Sequence, residues 1–181
     1  MQRKPVLAAR LVVLGGLLAG PSMAARAVGD DAPSAPAPVA AAPEFVLPAA
    51  APFADGVVVR RNVPYARSAA RTLHLDLYAP EASKGRAPCV LWIHGGGWIG
   101  GSKAPCPTVA LVPRGYVTAS VEYRFSQEAV FPAQIEDCKA AVRWIRAHAD
   151  ALGVDPARIG VAGASAGGHL AALLGVASDC A

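Results

Sequence analysis

The stretch that decides the fold is Gly163-Ala164-Ser165-Ala166-Gly167-Gly168-His169. It lies between Arg158-Ile159-Gly160-Val161-Ala162-Gly163, which reads as a strand, and an Ala-rich run expected to be helical over 166–177. A serine at such a junction needs flanking glycines, because the chain turns too sharply to carry side chains on both sides of it. The turn lifts the hydroxyl clear of the sheet edge and sets it at a helix N-terminus. There, backbone N–H groups and the helix dipole favour developing negative charge. A structural glycine turn with an incidental serine shows the same spacing, so the pattern needs a companion.

That companion is His94-Gly95-Gly96-Gly97-Trp98, directly after Cys89-Val90-Leu91-Trp92-Ile93. The preceding run is apolar throughout, as expected of a central strand covered on both faces. Consecutive glycines expose N–H groups with no Cβ in the way of a bound molecule. In acyl transfer each such donor contributes about 10²- to 10³-fold in rate. A dinucleotide site is the rival, since Gly95-Gly96-Gly97-Trp98-Ile99-Gly100 fits G-x-G-x-x-G and Glu122 ends the next strand. It requires a helix starting inside the motif, facing the pyrophosphate. Trp98 is bulky, and Gly100-Gly101-Ser102-Lys103-Ala104-Pro105-Cys106-Pro107 cannot begin one. The phosphate-loop pattern also fails, because Gly101-Ser102-Lys103 runs in the wrong order.

Working outward, Val57-Val58-Val59-Arg60-Arg61 and Leu73-His74-Leu75-Asp76-Leu77-Tyr78 read as strands, the second alternating as if one face were wet. Tyr116-Val117-Thr118-Ala119-Ser120-Val121 is a further strand. A helix is expected over 132–149, with proline in its first turn and Ile135, Cys138, Val142, Ile145 and Ala149 on one face. Gly153 should end it, and Asp155-Pro156 should turn into the next strand. Strands paired first by hairpins and then alternating with helices imply an α/β fold whose mixed sheet becomes mostly parallel.

The leader sets the charge. Of 17 basic and 13 acidic residues, Arg3, Lys4, Arg10 and Arg26 supply the whole excess of +4. The remainder is balanced and offers no basic footprint for nucleic acid. Residues 1–27 read as a cleaved signal peptide: basic start, short apolar core, and small residues at Ser22-Met23-Ala24 and Ala25-Arg26-Ala27. Arg10 breaks the apolar run, which falls far short of a bilayer span. A secreted or periplasmic protein with no membrane span after signal removal is expected. In 28–52, 15 of 25 residues are Ala or Pro, too little to bury, so this stretch reads as a disordered tether. Residues 53–181 are the folded domain. Cys89, Cys106, Cys138 and Cys180 allow a disulfide in an exported chain. Cys106 with Cys138 is the favoured pair if one forms.

With both motifs, Tyr123-Arg124-Phe125-Ser126 and Phe131-Pro132-Ala133-Gln134-Ile135-Glu136-Asp137, the chain resembles the hormone-sensitive-lipase-like esterases of the α/β-hydrolase superfamily. Trp98 and His169 bring it nearer their bacterial feruloyl-esterase-like branch. The resemblance implies Ser165 as acyl-accepting nucleophile and the N–H groups of Gly96, Gly97 and Ala166 as the oxyanion hole. It also implies a small or polymer-linked ester substrate, with no metal and no cofactor. Ala164 stands where many relatives carry an acid. His94 is expected to brace the glycine loop, His169 to pack beside the serine turn, and His74 and His148 to be structural or surface groups. Arg124 and Asp137 either pair beneath the serine helix or sit solvated.

The family order is serine, acid, histidine, yet only 16 residues follow Ser165, with Asp179 and His169 in reverse order. The domain is therefore expected to be the N-terminal portion of the fold, truncated after the serine helix and with an unpaired apolar strand edge. A chain without a base is expected to hydrolyse esters very weakly. A formamidase-like amide hydrolase and a noncatalytic binding module on the same fold are the alternatives.

Overall fold

In a computed structural model, residues 40–41, 47–82 and 85–176 are described. The expected signal peptide and most of the expected tether lie outside them, as does Cys180. The described part is one mixed sheet with helices packed on it.

Seven strands form among the described residues: β1 (Ala40–Ala41), β2 (Ala51–Ala54), β3 (Val57–Arg67), β4 (Thr72–Pro80), β5 (Ala87–Ile93), β6 (Val117–Val121) and β7 (Val154–Gly163). Their order is β1-β3-β4-β6-β5-β7, with β2 also on β3. The pairs β3/β4 and β4/β6 are antiparallel, while β5/β6 and β5/β7 are parallel. The sheet thus changes from hairpin pairing to crossovers at β6. The boundary expected at residue 53 falls inside β2, so Ala51 and Pro52 are strand rather than tether. β-Pairing there uses backbone groups, which the Ala/Pro composition does not disclose.

β5 is the central strand. Cys89, Leu91 and Ile93 are buried on one face, and β6 is buried at every position. On β4, Asp76 departs from the expected wet face. It is 3% exposed, and its carboxylate accepts the Asn62 N–H at 2.8 Å and Arg61 Nη1 at 3.2 Å. These bonds hold an irregularity in β3 between Arg60 and Val63, where Asn62 takes φ 54. A buried carboxylate there replaces water with two donors.

Helix α1 (Ala133–Ala147) presents the expected face: Ile135, Cys138, Val142 and Ile145 are all buried. A short α2 (Ala149–Leu152) follows, closed by Gly153 at φ 66, whose N–H reaches the Asp150 carbonyl. Asp155-Pro156 lies within β7, at an irregularity between Val154 and Ile159 where Asp155 Oδ1 accepts the Ala157 N–H at 3.0 Å. A 3-10 helix (Pro107–Arg114) buries Val112 against the sheet near Val57, Val59 and Tyr78. α3 (Ala166–Val176) packs on β5 and β7. Cys89, Cys106 and Cys138 are free thiols, so Cys106 and Cys138 do not pair. Cys138 is completely buried within α1, with its thiol pushed up by burial.

Candidate active site

β7 runs straight into Ser165, and α3 starts at the next residue. Ser165 takes φ 51, the left-handed region that disfavours an L side chain. Its side chain is exposed. The turn is closed by two bonds: Gly167 N–H to Ala164 C=O at 2.9 Å and His169 N–H to Ser165 C=O at 3.0 Å. Gly167 is required because a Cβ there would run into the carbonyl oxygens of Ile93 and His94. The absence of that Cβ lets α3 settle onto the end of β5.

The end of β5 feeds the second motif. A Cβ on Gly95 would lie 2.8 Å from the Ala164 carbonyl oxygen and 3.3 Å from Ser165 Cβ. The structure therefore brings the glycine loop and the serine turn into contact. Beyond Gly95 the loop bends through Gly96 (φ 120), Gly97 (φ 61) and Trp98 (φ 62). The Gly96 carbonyl accepts N–H groups from Ile99 and Gly100, each at 3.1 Å. Among the described residues, the N–H groups of Gly96, Gly97 and Ala166 meet no protein acceptor. No helix starts in this loop, so the dinucleotide geometry is absent from residues 95–106.

His94 stands at the root of the loop, 6% exposed. Its ring stacks on Tyr123 at 4.6 Å between centroids, and its Nδ1 lies 2.7 Å from the Gly95 carbonyl. A carbonyl only accepts, so Nδ1 carries the proton. Nε2 is buried with no partner among the described residues. Burial lowers the pKa of the ring, outweighing the help of the Gly95 carbonyl. The Tyr123 hydroxyl in turn donates to the His94 carbonyl at 3.0 Å, and burial pushes it up to about 12.

The far end of the loop is held by charge. Lys103 Nζ reaches Glu122 at 3.2 Å, and the Ser120 hydroxyl donates to the Lys103 carbonyl at 2.7 Å. Glu122 also accepts from the His74 N–H at 2.7 Å and from Arg71 at 3.0 Å. Burial alone would raise this carboxyl, but the His74 N–H and Lys103 outweigh it and hold it below the usual range. Glu122, which could have served a ribose, is thus occupied within the fold. A cleft of about 410 Å³ opens beside His94, Lys103 and Glu122.

Beneath α1, Arg124 and Asp137 form a buried bidentate pair at 2.8–2.9 Å, resolving the two sequence readings in favour of pairing. The Arg124 N–H adds a third bond at 2.8 Å. Burial raises the Asp137 carboxyl despite these donors. His148 sets Nδ1 against the Trp144 carbonyl at 2.8 Å, and His74 bonds Glu122. The contact that sequence reasoning missed is Trp98 with His169, edge to face at 5.4 Å and 88°. Nothing in local spacing signals it, because the two residues lie on different elements.

A serine turn between a parallel strand and a helix, faced by a glycine loop from the neighbouring strand, is how α/β-hydrolases are built, and the fold here is that one. The chain belongs to the BD-FAE family, whose model matches residues 75–181. It is 36% identical over 143 residues to carboxylesterase NlhH of Mycobacterium tuberculosis, covering 67% of this chain and 45% of that protein. Esterase LipC of the same species is 37% identical over 125 residues, covering 67% and 31%. Among solved structures, a bacterial heroin esterase aligns with TM-score 0.60 at 39% identity, covering 67% of this chain and 40% of that one. A truncated carbohydrate esterase from gut microbiota also aligns at TM-score 0.60, with 35% identity and coverages of 67% and 44%. The chain thus spans less than half the length of these relatives.

Proposed function

We propose that the protein is a carboxylic-ester hydrolase that works through an acyl-Ser165 intermediate. The observation that carries this reading is the contact of Gly95 with Ala164 and Ser165, which sets a strained, exposed serine beside a loop of unused N–H donors. Ser165 Oγ adds to the acyl carbon, and the carbonyl oxygen takes the negative charge. Gly96, Gly97 and Ala166 donate to that oxygen. The C–O bond to the alcohol then breaks, the alcohol leaves with a proton, and water hydrolyses the acyl-serine. His94 braces the loop through its bond to Gly95 rather than touching the ester. Similarity to carboxylesterases and to a carbohydrate esterase supports a small or polymer-linked ester as substrate. The leader supports export to a secreted or periplasmic location.

The proton acceptor limits the rate. Among the described residues none of the four histidines bonds the Ser165 hydroxyl: His74 bonds Glu122, His94 Nδ1 meets Gly95, His148 Nδ1 meets Trp144, and the His169 ring packs on Trp98. Among the described residues the Ser165 hydroxyl has no hydrogen-bond partner. The 181-residue chain should therefore turn over esters at the level left when a triad is dismantled, about 10³- to 10⁴-fold over water. The test is exposure to an activated aryl acetate followed by peptide mass spectrometry. The expected result is slow acetylation of Ser165, lost in Ser165→Ala. No adduct on Ser165 after prolonged exposure, or fast turnover independent of Ser165, overturns the reading.

A further inference from the structure

Trp98 and His169 take no part in the acyl transfer above. Trp98 nevertheless holds φ 62, a genuine outlier for a bulky side chain, so its surroundings must over-determine it. Two contacts do so. On one side the Ser126 N–H donates to the Trp98 carbonyl at 2.8 Å. On the other the indole meets the His169 imidazole edge to face. His169 rides on the first turn of α3, its own N–H bonded to the Ser165 carbonyl. The ring contact therefore joins the tip of the glycine loop to the turn that carries Ser165.

Among the described residues no hydrogen bond does this at the tip. Gly95 rests against Ala164 at the root of the loop, but among the described residues no hydrogen bond links residues 96–101 to residues 163–170. The bonds from Ile99 and Gly100 to Gly96 fix the internal shape of the tip. They leave its position relative to Ser165 open.

The geometry points to His169 as a positioning residue: through the Trp98 ring it holds the oxyanion loop against Ser165, an assignment that rests on the esterase reading. His169 touches neither the reacting atoms nor the ester. Edge-to-face ring pairs shift a local equilibrium by about threefold to tenfold, which sets the expected effect. A merely exposed histidine would shift nothing.

The experiment compares the 181-residue chain with His169→Ala, His169→Phe, Trp98→Ala and the double alanine variant by amide hydrogen exchange. His169→Ala should speed exchange of the Ser126 amide, which bonds the Trp98 carbonyl at the tip, about threefold to tenfold, leaving β5 and β6 amides unchanged. His169→Phe, which keeps a ring, should restore the parent rate. The double variant should exchange no faster than Trp98→Ala alone. An unchanged Ser126 amide in His169→Ala overturns the proposal, as does a general loosening that includes β5, or failure of His169→Phe to restore. The rate at which a fluorophosphonate labels Ser165 is the second readout. It should fall by the same factor in His169→Ala and not in His169→Phe; an unchanged labelling rate beside a loosened loop overturns the positioning role. Should Ser165 of the parent resist the probe altogether, the esterase reading fails, while the exchange data still decide the ring contact.

Discussion

Replacing Ser165 with glycine should make the protein more stable than replacing it with alanine. Ser165 holds φ 51, where an L side chain costs about 1–2 kcal/mol. Glycine removes that cost and alanine retains it. Glycine also gains about 0.5–1 kcal/mol of freedom in the unfolded chain, which offsets part of the benefit. The difference left is about 0.5–1 kcal/mol in favour of Ser165→Gly. Loss of the hydroxyl is common to both variants and cancels, since that hydroxyl has no hydrogen-bond partner among the described residues. Urea unfolding followed by circular dichroism reads the difference directly, and a thermal scan should show about 2–4 °C. Asn62 at φ 54 is the internal control, because asparagine tolerates this region and Asn62→Gly should gain less. Should the alanine variant match or exceed the glycine variant, the serine turn is unstrained. Function then has no strain to hold in place at Ser165.

Three further outcomes are expected. Asp137→Ala leaves the Arg124 guanidinium buried and unpaired, so unfolding free energy should fall by about 3–5 kcal/mol, as measured by chemical denaturation. Gly167→Ala forces a Cβ into the Ile93 carbonyl and should cost about 1–3 kcal/mol; Gly168→Ala meets only Gly163 at 3.4 Å and should be neutral or gain up to about 1 kcal/mol from helix propensity. Acid should weaken the fold in two stages. The pKa of His94 lies below its ordinary 6.5 in the folded protein, so the unfolded chain binds that proton first. Stability then declines as pH falls below 6.5, at up to about 1.4 kcal/mol per pH unit. The Glu122 carboxyl is held below its ordinary 4.5, so its contribution is present above that value and is lost on further acidification. His94→Gln should remove the first stage when denaturation midpoints are followed against pH.

Where side-chain chemistry dictates structure, the sequence was readable. The unbroken apolar run of β5 and the helical spacing of Ile135, Cys138, Val142 and Ile145 appear as the buried faces they imply. The two glycine motifs meet because β5 and β7 are neighbours. Other features depend on contacts that local pattern does not encode. β2 pairs through backbone groups under an Ala/Pro composition. The 3-10 helix carries Pro113 in its interior, a residue that argues against a helix by propensity. Asp76 reads as a solvent-facing residue until Arg61 and Asn62 are brought to it from β3. Whether Arg124 and Asp137 were paired or solvated was undecidable in sequence, because only packing beneath α1 removes the water between them.

In the β5–β7 ladder Ile93 stands opposite Gly163, so the loop and the serine turn leave the sheet from the same rung. Slippage by one residue would carry the two apart by about 3.3 Å and invert the pleat. The roots of the two segments are consequently aligned by interior backbone bonds, and the Trp98–His169 contact acts only on the tip of the loop. The ladder's one irregularity falls between Ala87 and Cys89, at the opposite end of β5. A substitution there, remote from Ser165, has the leverage to mistune the whole constellation.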